Sequence, residues 1–164
     1  MNHSVVPTEE CHFQSLYKAL DVVAREQKYL ALTQAPPWEQ SLAHYRNVLA
    51  AGFPHFVAVD GNDKVVGWCD ISPLVGQSRA HIGVLGLALM PEMRGQGFGA
   101  KLLQAAIDKS WARGLTRIEL AVRVDNLKAT RLYEQFGFEH EGFIRRASLI
   151  DGIYYDAHTM ALLR

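Results

Sequence analysis

The chain has 164 residues, of which 49% are hydrophobic and 21% are charged. That length fits one domain with a core large enough to fold without disulfides, and the composition excludes a disordered chain. Lysine plus arginine and aspartate plus glutamate each total 17. The balanced charge argues against nucleic acid and against an anionic membrane surface as partners.

The cysteines and histidines predict neither a disulfide nor a metal site. Cys11 and Cys69 are far apart and form no paired motif, which favours a reduced, cytoplasmic setting. The seven histidines lack the spacing of metal ligands. No apolar run approaches the ~20 residues that span a bilayer, and the first residues lack a signal-peptide core. We therefore expect a single metal-free domain over residues 1–164.

The first third of the chain predicts two helices. Thr8 can cap a helix that begins near Glu9, and apolar residues follow at helical spacing. Two consecutive prolines interrupt this pattern, and a second helix over 38–51 ends at Gly52. Residues 4–6 can supply a short strand before the first helix.

From residue 55 the apolar period changes to two, which is typical of strands. Segments 56–59 and 65–68 flank a turn at 61–63 and predict a hairpin. A further strand over 80–90 is followed by a turn and by a helix that ends at Gly114.

The remaining elements complete an α+β pattern. A strand over 117–124 follows the helix, so the strand-helix-strand unit is expected to be parallel and right-handed. Asn126 begins a short helix that ends at Gly137. Two long strands, 138–150 and 153–163, are joined by an Asp-Gly pair that indicates a type I′ hairpin turn. The sheet is therefore predicted to be mixed and mostly antiparallel.

The most informative motif is R-G-Q-G-F-G at residues 94–99, between a predicted strand and a predicted helix. Glycines let backbone N–H groups approach a ligand closely. The helix that follows adds unpaired N–H groups and the positive end of its dipole. Arg94 adds a permanent positive charge, so the segment predicts a site for a phosphate group.

Two common phosphate motifs do not fit this loop. The P-loop needs Gly-Lys-Ser/Thr, whereas Gly99 is followed by Ala100 and Lys101. The dinucleotide fingerprint needs G-x-G-x-x-G, whereas the glycines here are spaced G-x-G-x-G. A further alternative is that the glycines only turn the chain into the helix.

The remaining pattern, R-x-x-G-x-G, resembles the pyrophosphate loop of the GNAT superfamily of acetyl-CoA-dependent N-acetyltransferases. The resemblance extends to V-L-G-L-A-L-M-P-E before the loop and to D-N-L-K-A-T-R-L-Y-E-Q-F-G-F after the next strand. It implies a three-layer α/β/α fold in which the two parallel strands splay apart at the cofactor site. It also implies acetyl-CoA as co-substrate and, by analogy, a homodimer.

The same resemblance implies the cofactor contacts: Leu87, Ala88, Leu89, Arg94, Gly95, Gln96, Gly97, Phe98, Gly99, Ala100, Asn126 and Tyr133. The strand residues would bond the pantetheine amides through their backbone, and the loop amides would bind the pyrophosphate. Tyr133 matches the family's general acid to the departing thiolate, although it could be a core aromatic. Asn126 could equally be a helix cap.

The sequence offers several candidates for the residue that deprotonates the acceptor amine. An alkyl ammonium has a pKa of ~10 and must lose a proton before it attacks a thioester. His81 and Glu119 are the predicted candidates, with Asp70 ranked below them and water as the alternative. His81 ranks first because an imidazole titrates near neutral pH.

The resemblance implies an N-acetyltransferase that moves an acetyl group to a primary amine of a small molecule or a peptide. The amine would attack directly in a ternary complex, over the first two helices and the last hairpin. Aromatic residues in those segments could contact the acceptor: Tyr29, Trp38, Tyr154 and Tyr155. The alternative is a non-catalytic domain that binds or senses acyl-CoA.

Overall fold

The computed structural model describes residues 2–164. Its strands are β1 (Ser4–Pro7), β2 (His55–Val59), β3 (Val65–Pro73), β4 (Ile82–Leu89), β5 (Arg117–Arg123), β6 (Glu139–Ile150) and β7 (Ile153–Leu163). They form one seven-stranded sheet in the order β1-β2-β3-β4-β5-β7-β6. Only the β4–β5 pair is parallel among these strands, so the predicted mixed, mostly antiparallel sheet is confirmed.

Four α-helices cover the two faces of the sheet. They are α1 (Phe13–Arg25), α2 (Trp38–Ala51), α3 (Phe98–Ala112) and α4 (Leu127–Gln135). Apolar side chains of α1 and α2 pack against Val57 and Trp68 on one face. Those of α3 and α4 pack against Cys69 and Leu120 on the other face. The fold is therefore the α/β/α arrangement that the resemblance implies.

The parallel pair β4–β5 is joined only at its first residues. Pairing runs from Ile82 with Arg117 to Val84 with Glu119. Both strands continue beyond these pairs, β4 as far as Leu89. The two strands therefore run on without pairing, and the sheet opens between them.

Several predicted elements are confirmed within a few residues. The short first strand is β1, which pairs with β2, and the second helix ends at Gly52 in a left-handed conformation. Asp151 and Gly152 have φ values of 49° and 77°, as a type I′ turn requires. Asn126 caps α4, because its side chain accepts a hydrogen bond from the N–H of Ala129.

The prediction that Thr8 caps the first helix is wrong. The Thr8 hydroxyl lies 2.8 Å from His55 Nδ1, and the Thr8 N–H donates to the His55 carbonyl at 2.9 Å. Thr8 thus extends the pairing of β1 with β2. The cap is Glu9, which exchanges capping-box hydrogen bonds with His12, and a 3-10 turn over Glu10–His12 precedes α1.

The described part of the chain lacks two kinds of feature. Among residues 2–164, no helix combines the length and the hydropathy that crossing a membrane requires. Within the same range, no group of three or more His, Cys, Asp or Glu side chains could hold a metal ion.

Candidate active site

The glycine loop has a backbone that only glycine adopts without strain. Gly95 and Gly97 have φ values of 75° and 85°, and a Cβ on either would meet no atom within 4 Å. Conformation rather than crowding therefore requires glycine at both positions. Gly99 differs, since a Cβ there would lie 3.3 Å from Leu132 Cδ2 on α4. It permits α3 and α4 to pack closely behind the loop.

The loop presents a row of unpaired amides where α3 begins. None of the N–H groups of 95–100 donates to a backbone carbonyl in the described chain, whereas Lys101 donates to the Gly97 carbonyl at 3.3 Å. Because α3 has 15 residues, the positive end of its dipole adds to these donors. Such a cradle fits a pyrophosphate, because a diphosphate supplies several anionic acceptors to one set of N–H groups.

Arg94 lies beside this cradle but is already engaged. Its guanidinium donates two hydrogen bonds to the Glu26 carboxylate, at 2.9 and 2.6 Å, and two to the Leu89 carbonyl, at 3.1 and 2.9 Å. It also lies 4.4 Å from the centre of the Tyr29 ring. Arg94 therefore fastens the end of β4 to the segment after α1, a role that the sequence did not predict.

The backbone of β4 alternates between its two neighbours. The N–H of Met90 donates to the Val66 carbonyl of β3 at 2.8 Å. In an antiparallel ladder, residues two apart point the same way, so Ala88 also directs its backbone groups to β3. The backbone groups of Leu87 and Leu89 therefore point to the open gap between β4 and β5. The gap thus receives the N–H and C=O groups of Leu87 and the N–H of Leu89.

Tyr133 lies on the buried face of α4. Its ring centre is 5.6 Å from that of Phe138, and the residue is 6% exposed. Burial raises the pKa of its hydroxyl well above the usual value, and the neighbouring Cys69 adds to this effect. The hydroxyl therefore stays protonated at neutral pH, as a proton donor must. Its role as general acid stays a prediction.

The structure places His81 away from the gap, before the first residue of β4. The strand predicted over 80–90 begins only at Ile82, and His81 lies in the exposed turn before it. The His81 carbonyl accepts hydrogen bonds from Thr116 and Arg117, which bend the chain there towards β5. His81 is separated from Gly86 by roughly 16 Å of extended chain.

Glu119 lies at the last paired position of β5, opposite Val84. Its carboxylate accepts a hydrogen bond from Arg117 at 3.0 Å, and the same guanidinium binds Glu141 at 2.9 and 2.5 Å. Glu119 is therefore part of an ion-pair cluster rather than a free base. The proposed proton-accepting roles of His81 and Glu119 stay predictions.

Asp70 lies on β3 opposite Gly86, two residues beyond the last position at which β4 pairs with β5. On adjacent strands, His55, Asp70 and Gly86 stand directly opposite one another, so they form a row across the face covered by α1 and α2. A Cβ on Gly86 would lie 2.9 Å from Asp70 Oδ1. The missing side chain leaves the Asp70 carboxylate open towards the gap beside β4.

A cavity of about 230 Å³ lies above Asp70, between α1, α2 and the sheet. Its walls are mostly apolar, and Asp70 is the carboxylate among the residues that line it: Leu16, Leu20, Leu32, Pro36, Gln40, Ser41, His44, Tyr45, His55, Trp68 and Asp70. The residues come from separate elements, and no spacing in the sequence indicated that they meet. Sequence reasoning therefore missed Ser41, Tyr45 and His55.

The four aromatic residues predicted near the acceptor have different surroundings. Tyr29 lies under Arg94 at 4.4 Å, and Tyr155 lies under Arg123 at 3.6 Å, each measured to the ring centre. Trp38 packs edge-on against Tyr17, outside the cavity. Tyr154 is 51% exposed on the β6–β7 hairpin. A contact between any of them and the acceptor stays a prediction.

Comparisons with known proteins agree with this geometry. Residues 16–138 match the sequence profile of the acetyltransferase (GNAT) family. The chain is 30% identical over 152 residues to the L-amino acid N-acetyltransferase AaaT of Escherichia coli, covering 90% of this chain and 92% of that protein. It is 33% identical over 124 residues to the N-alpha-acetyltransferase RimI of Mycobacterium tuberculosis, covering 76% and 74%.

The fold also matches a solved structure that contains the cofactor. This is yncA of Salmonella typhimurium, an acetyltransferase solved with acetyl-CoA, at a TM-score of 0.92 and 18% identity. The alignment covers 99% of this chain and 94% of that one. With a free amide cradle at a splayed parallel pair, and with the family profile over most of its length, the chain belongs to the acetyltransferase (GNAT) family and is an acetyl-CoA-dependent acyltransferase.

Proposed function

We propose that the protein transfers the acetyl group of acetyl-CoA to a primary amine of a small molecule or a peptide. The amine attacks directly while both substrates are bound. The observation that carries this proposal is the row of unpaired amides over 95–100, placed where β4 and β5 separate. Relatives named for amino acid and N-terminal acetylation support an amine as the acceptor.

Acetyl-CoA supplies a thioester, whose acyl carbon accepts a nucleophile. The amides of 95–100 hold the pyrophosphate, and the open-side backbone groups of Leu87 and Leu89 align the pantetheine arm along β4. Two residues hold the segments that border the site: Asn126 caps the start of α4, and Arg94 binds the end of β4. Tyr133 donates a proton to the sulfur that leaves.

The cofactor half of the proposal is tested by ligand-induced stabilisation. Acetyl-CoA at 100 times its Kd should stabilise the protein by about 2.7 kcal/mol, which a thermal-shift assay detects. Release of free thiol with a panel of amines then separates catalysis from mere binding. Binding without thiol release from any amine would favour an acyl-CoA sensor instead.

We also propose that the protein forms a homodimer through the β6–β7 hairpin, and that it resides in the cytoplasm. The hairpin ends the sheet and exposes large apolar side chains, including Phe143 at 68% and Leu149 and Ile153 at 56%. Such a patch is typical of an interface. Two free cysteines fit a reducing compartment. Light scattering should give twice the monomer mass, and Phe143→Glu should reduce it.

A further inference from the structure

The cavity above Asp70 contains polar groups that lack partners. Ser41 Oγ and Tyr45 Oη are buried and make no hydrogen bond within the described chain. Ser41 is 4% exposed and Tyr45 is 6% exposed. Buried hydroxyls are normally hydrogen-bonded, so these two are free to bond the polar atoms of a molecule that enters the cavity.

Asp70 is the only carboxylate in that lining. Its carboxylate receives one side-chain hydrogen bond, from Ser72 at 3.3 Å, and takes part in none of the ion pairs found in residues 2–164. Burial raises the pKa of Asp70 to about 6, which the Ser72 hydrogen bond only partly offsets. An unpaired carboxylate in such surroundings attracts a cation.

The other titratable groups that line the cavity are His55 on β2 and His44 and Tyr45 on α2, while Gly86 on β4 has no side chain and α1 contributes leucines. Two of these three groups, His55 and Tyr45, are uncharged at neutral pH. Burial, with His44 nearby, lowers the pKa of His55 to about 4, so His55 is neutral at pH 7. Burial raises the pKa of Tyr45 to about 12, so its hydroxyl keeps its proton.

We infer that Asp70 binds the ammonium group of the acceptor and then takes its proton, and that the acceptor is a compact amine with an apolar body and no acidic group. This inference rests on the proposed function. An ammonium has three N–H donors, and the Asp70 carboxylate and the hydroxyls of Ser41 and Tyr45 are acceptors in one cavity. Three leucines, a proline and a tryptophan supply the apolar part of the lining.

The lining also argues against two other acceptor classes. It contains no lysine or arginine, so the carboxylate of an amino acid would meet no positive charge. It contains one carboxylate, so the second ammonium of a polyamine would have no partner. The volume of about 230 Å³ is below the ~300–1,000 Å³ of pockets for drug-sized ligands, which favours a small molecule.

Each proton and each bond is accounted for in the proposed acetyl transfer. Asp70 takes one proton from the ammonium, and the freed nitrogen lone pair forms a bond to the acyl carbon. The carbon–sulfur bond breaks and its electron pair leaves on sulfur, which receives a proton from Tyr133. The nitrogen loses its second proton, which restores the Tyr133 hydroxyl. Asp70 then releases its proton to water, so the products are an amide, a thiol and one proton.

The test compares the wild type with Asp70→Asn, using acetyl-CoA and 2-phenylethylamine. We expect kcat/KM to fall about 10²- to 10⁴-fold, the usual contribution of a positioned base. The rise of kcat/KM near pH 6 in the wild type should disappear in the variant. Acetyl-CoA should still stabilise Asp70→Asn, which shows that it folds. Asp63→Asn is the matched control, because Asp63 is exposed in the β2–β3 turn.

A second variant tests the cavity without removing the base. Tyr45→Phe deletes only a buried hydroxyl that has no partner, so it should fold normally. We expect it to raise the KM for 2-phenylethylamine about tenfold, the loss of one hydrogen bond to a charged group, and to leave the pH profile unchanged. An unchanged KM would contradict the inference.

Acceptor choice completes the test. We expect kcat/KM for 2-phenylethylamine to exceed that for phenylalanine and for spermidine at least tenfold. A preference for either of these, wild-type kinetics in Asp70→Asn, or an equal loss in His81→Ala or Glu119→Gln would overturn this inference alone. If no acceptor of any class were acetylated by protein that binds acetyl-CoA, the proposed function would fall, and this inference with it.

Discussion

The two sides of β4 are proposed to recognise different ligands, and they would do so by different means. On the side of α3, the cradle at 95–100 uses main-chain amides from one continuous segment. On the side of α1 and α2, the cavity above Asp70 uses side chains from four separate elements. The first arrangement tolerates changes in side chains as long as the backbone conformation is kept. The second can change its ligand through a single substitution, which fits a family whose members share a cofactor and differ in their acceptors.

The largest effect that separates the two sides is expected from Tyr133→Phe. The proposed proton donor is lost while the loop amides are untouched, so turnover should fall about 10²- to 10⁴-fold with nearly unchanged acetyl-CoA affinity. Steady-state kinetics and calorimetric titration measure the two quantities. Turnover equal to that of the wild type would remove Tyr133 from the mechanism.

Asp70→Asn should also change the stability of the protein, in a way that depends on pH. The folded-state pKa of Asp70, about 6, lies above the ordinary 3.8, so folding favours the protonated carboxyl. Ionisation therefore costs stability as the pH rises from about 4 to 6, by at most about 3 kcal/mol at ~1.36 kcal/mol per pKa unit. The variant should melt several degrees above the wild type at pH 8, with the gap closing towards pH 4. A lower melting temperature at pH 8 would contradict the assigned environment.

Gly97→Val tests whether the cofactor side depends on the backbone. Its φ of 85° strains a β-branched residue by ~1–3 kcal/mol and should displace the amides, weakening acetyl-CoA binding about 10- to 100-fold. Gly114→Val is the matched control, because Gly114 has a φ of 95° and equal free space at the other end of α3. It should lose similar stability but keep its affinity for acetyl-CoA. Equal affinity in both variants would show that the loop amides do not bind the cofactor.

Arg94→Lys is expected to have the smallest effect. Lysine keeps the charge but loses the paired hydrogen bonds to Glu26, so unfolding free energy should fall by about 1 kcal/mol. Glu26→Gln should cause a similar loss, because it breaks the same pair. Denaturant unfolding measures both. A loss in Arg94→Lys alone would place the stabilising contact at the Leu89 carbonyl rather than at Glu26.

The same contrast explains which features of the fold and the site could be predicted from the sequence. The glycine loop, the parallel crossover and the final hairpin were predictable, because each depends on local periodicity or on residues adjacent in the chain. The cap at Thr8 was misjudged since His55, distant in sequence, competes for its side chain. The bond between Arg94 and Glu26 and the cavity above Asp70 arise only when distant segments pack together, and nothing in local spacing encodes them.

The most direct test of the central claim is a crystal structure of the protein with coenzyme A. We expect the diphosphate oxygens within about 3 Å of several amides between Gly95 and Ala100, with the pantetheine arm in the gap beside Leu87 and Leu89. A diphosphate bound elsewhere, with this turn closed by side chains, would contradict it.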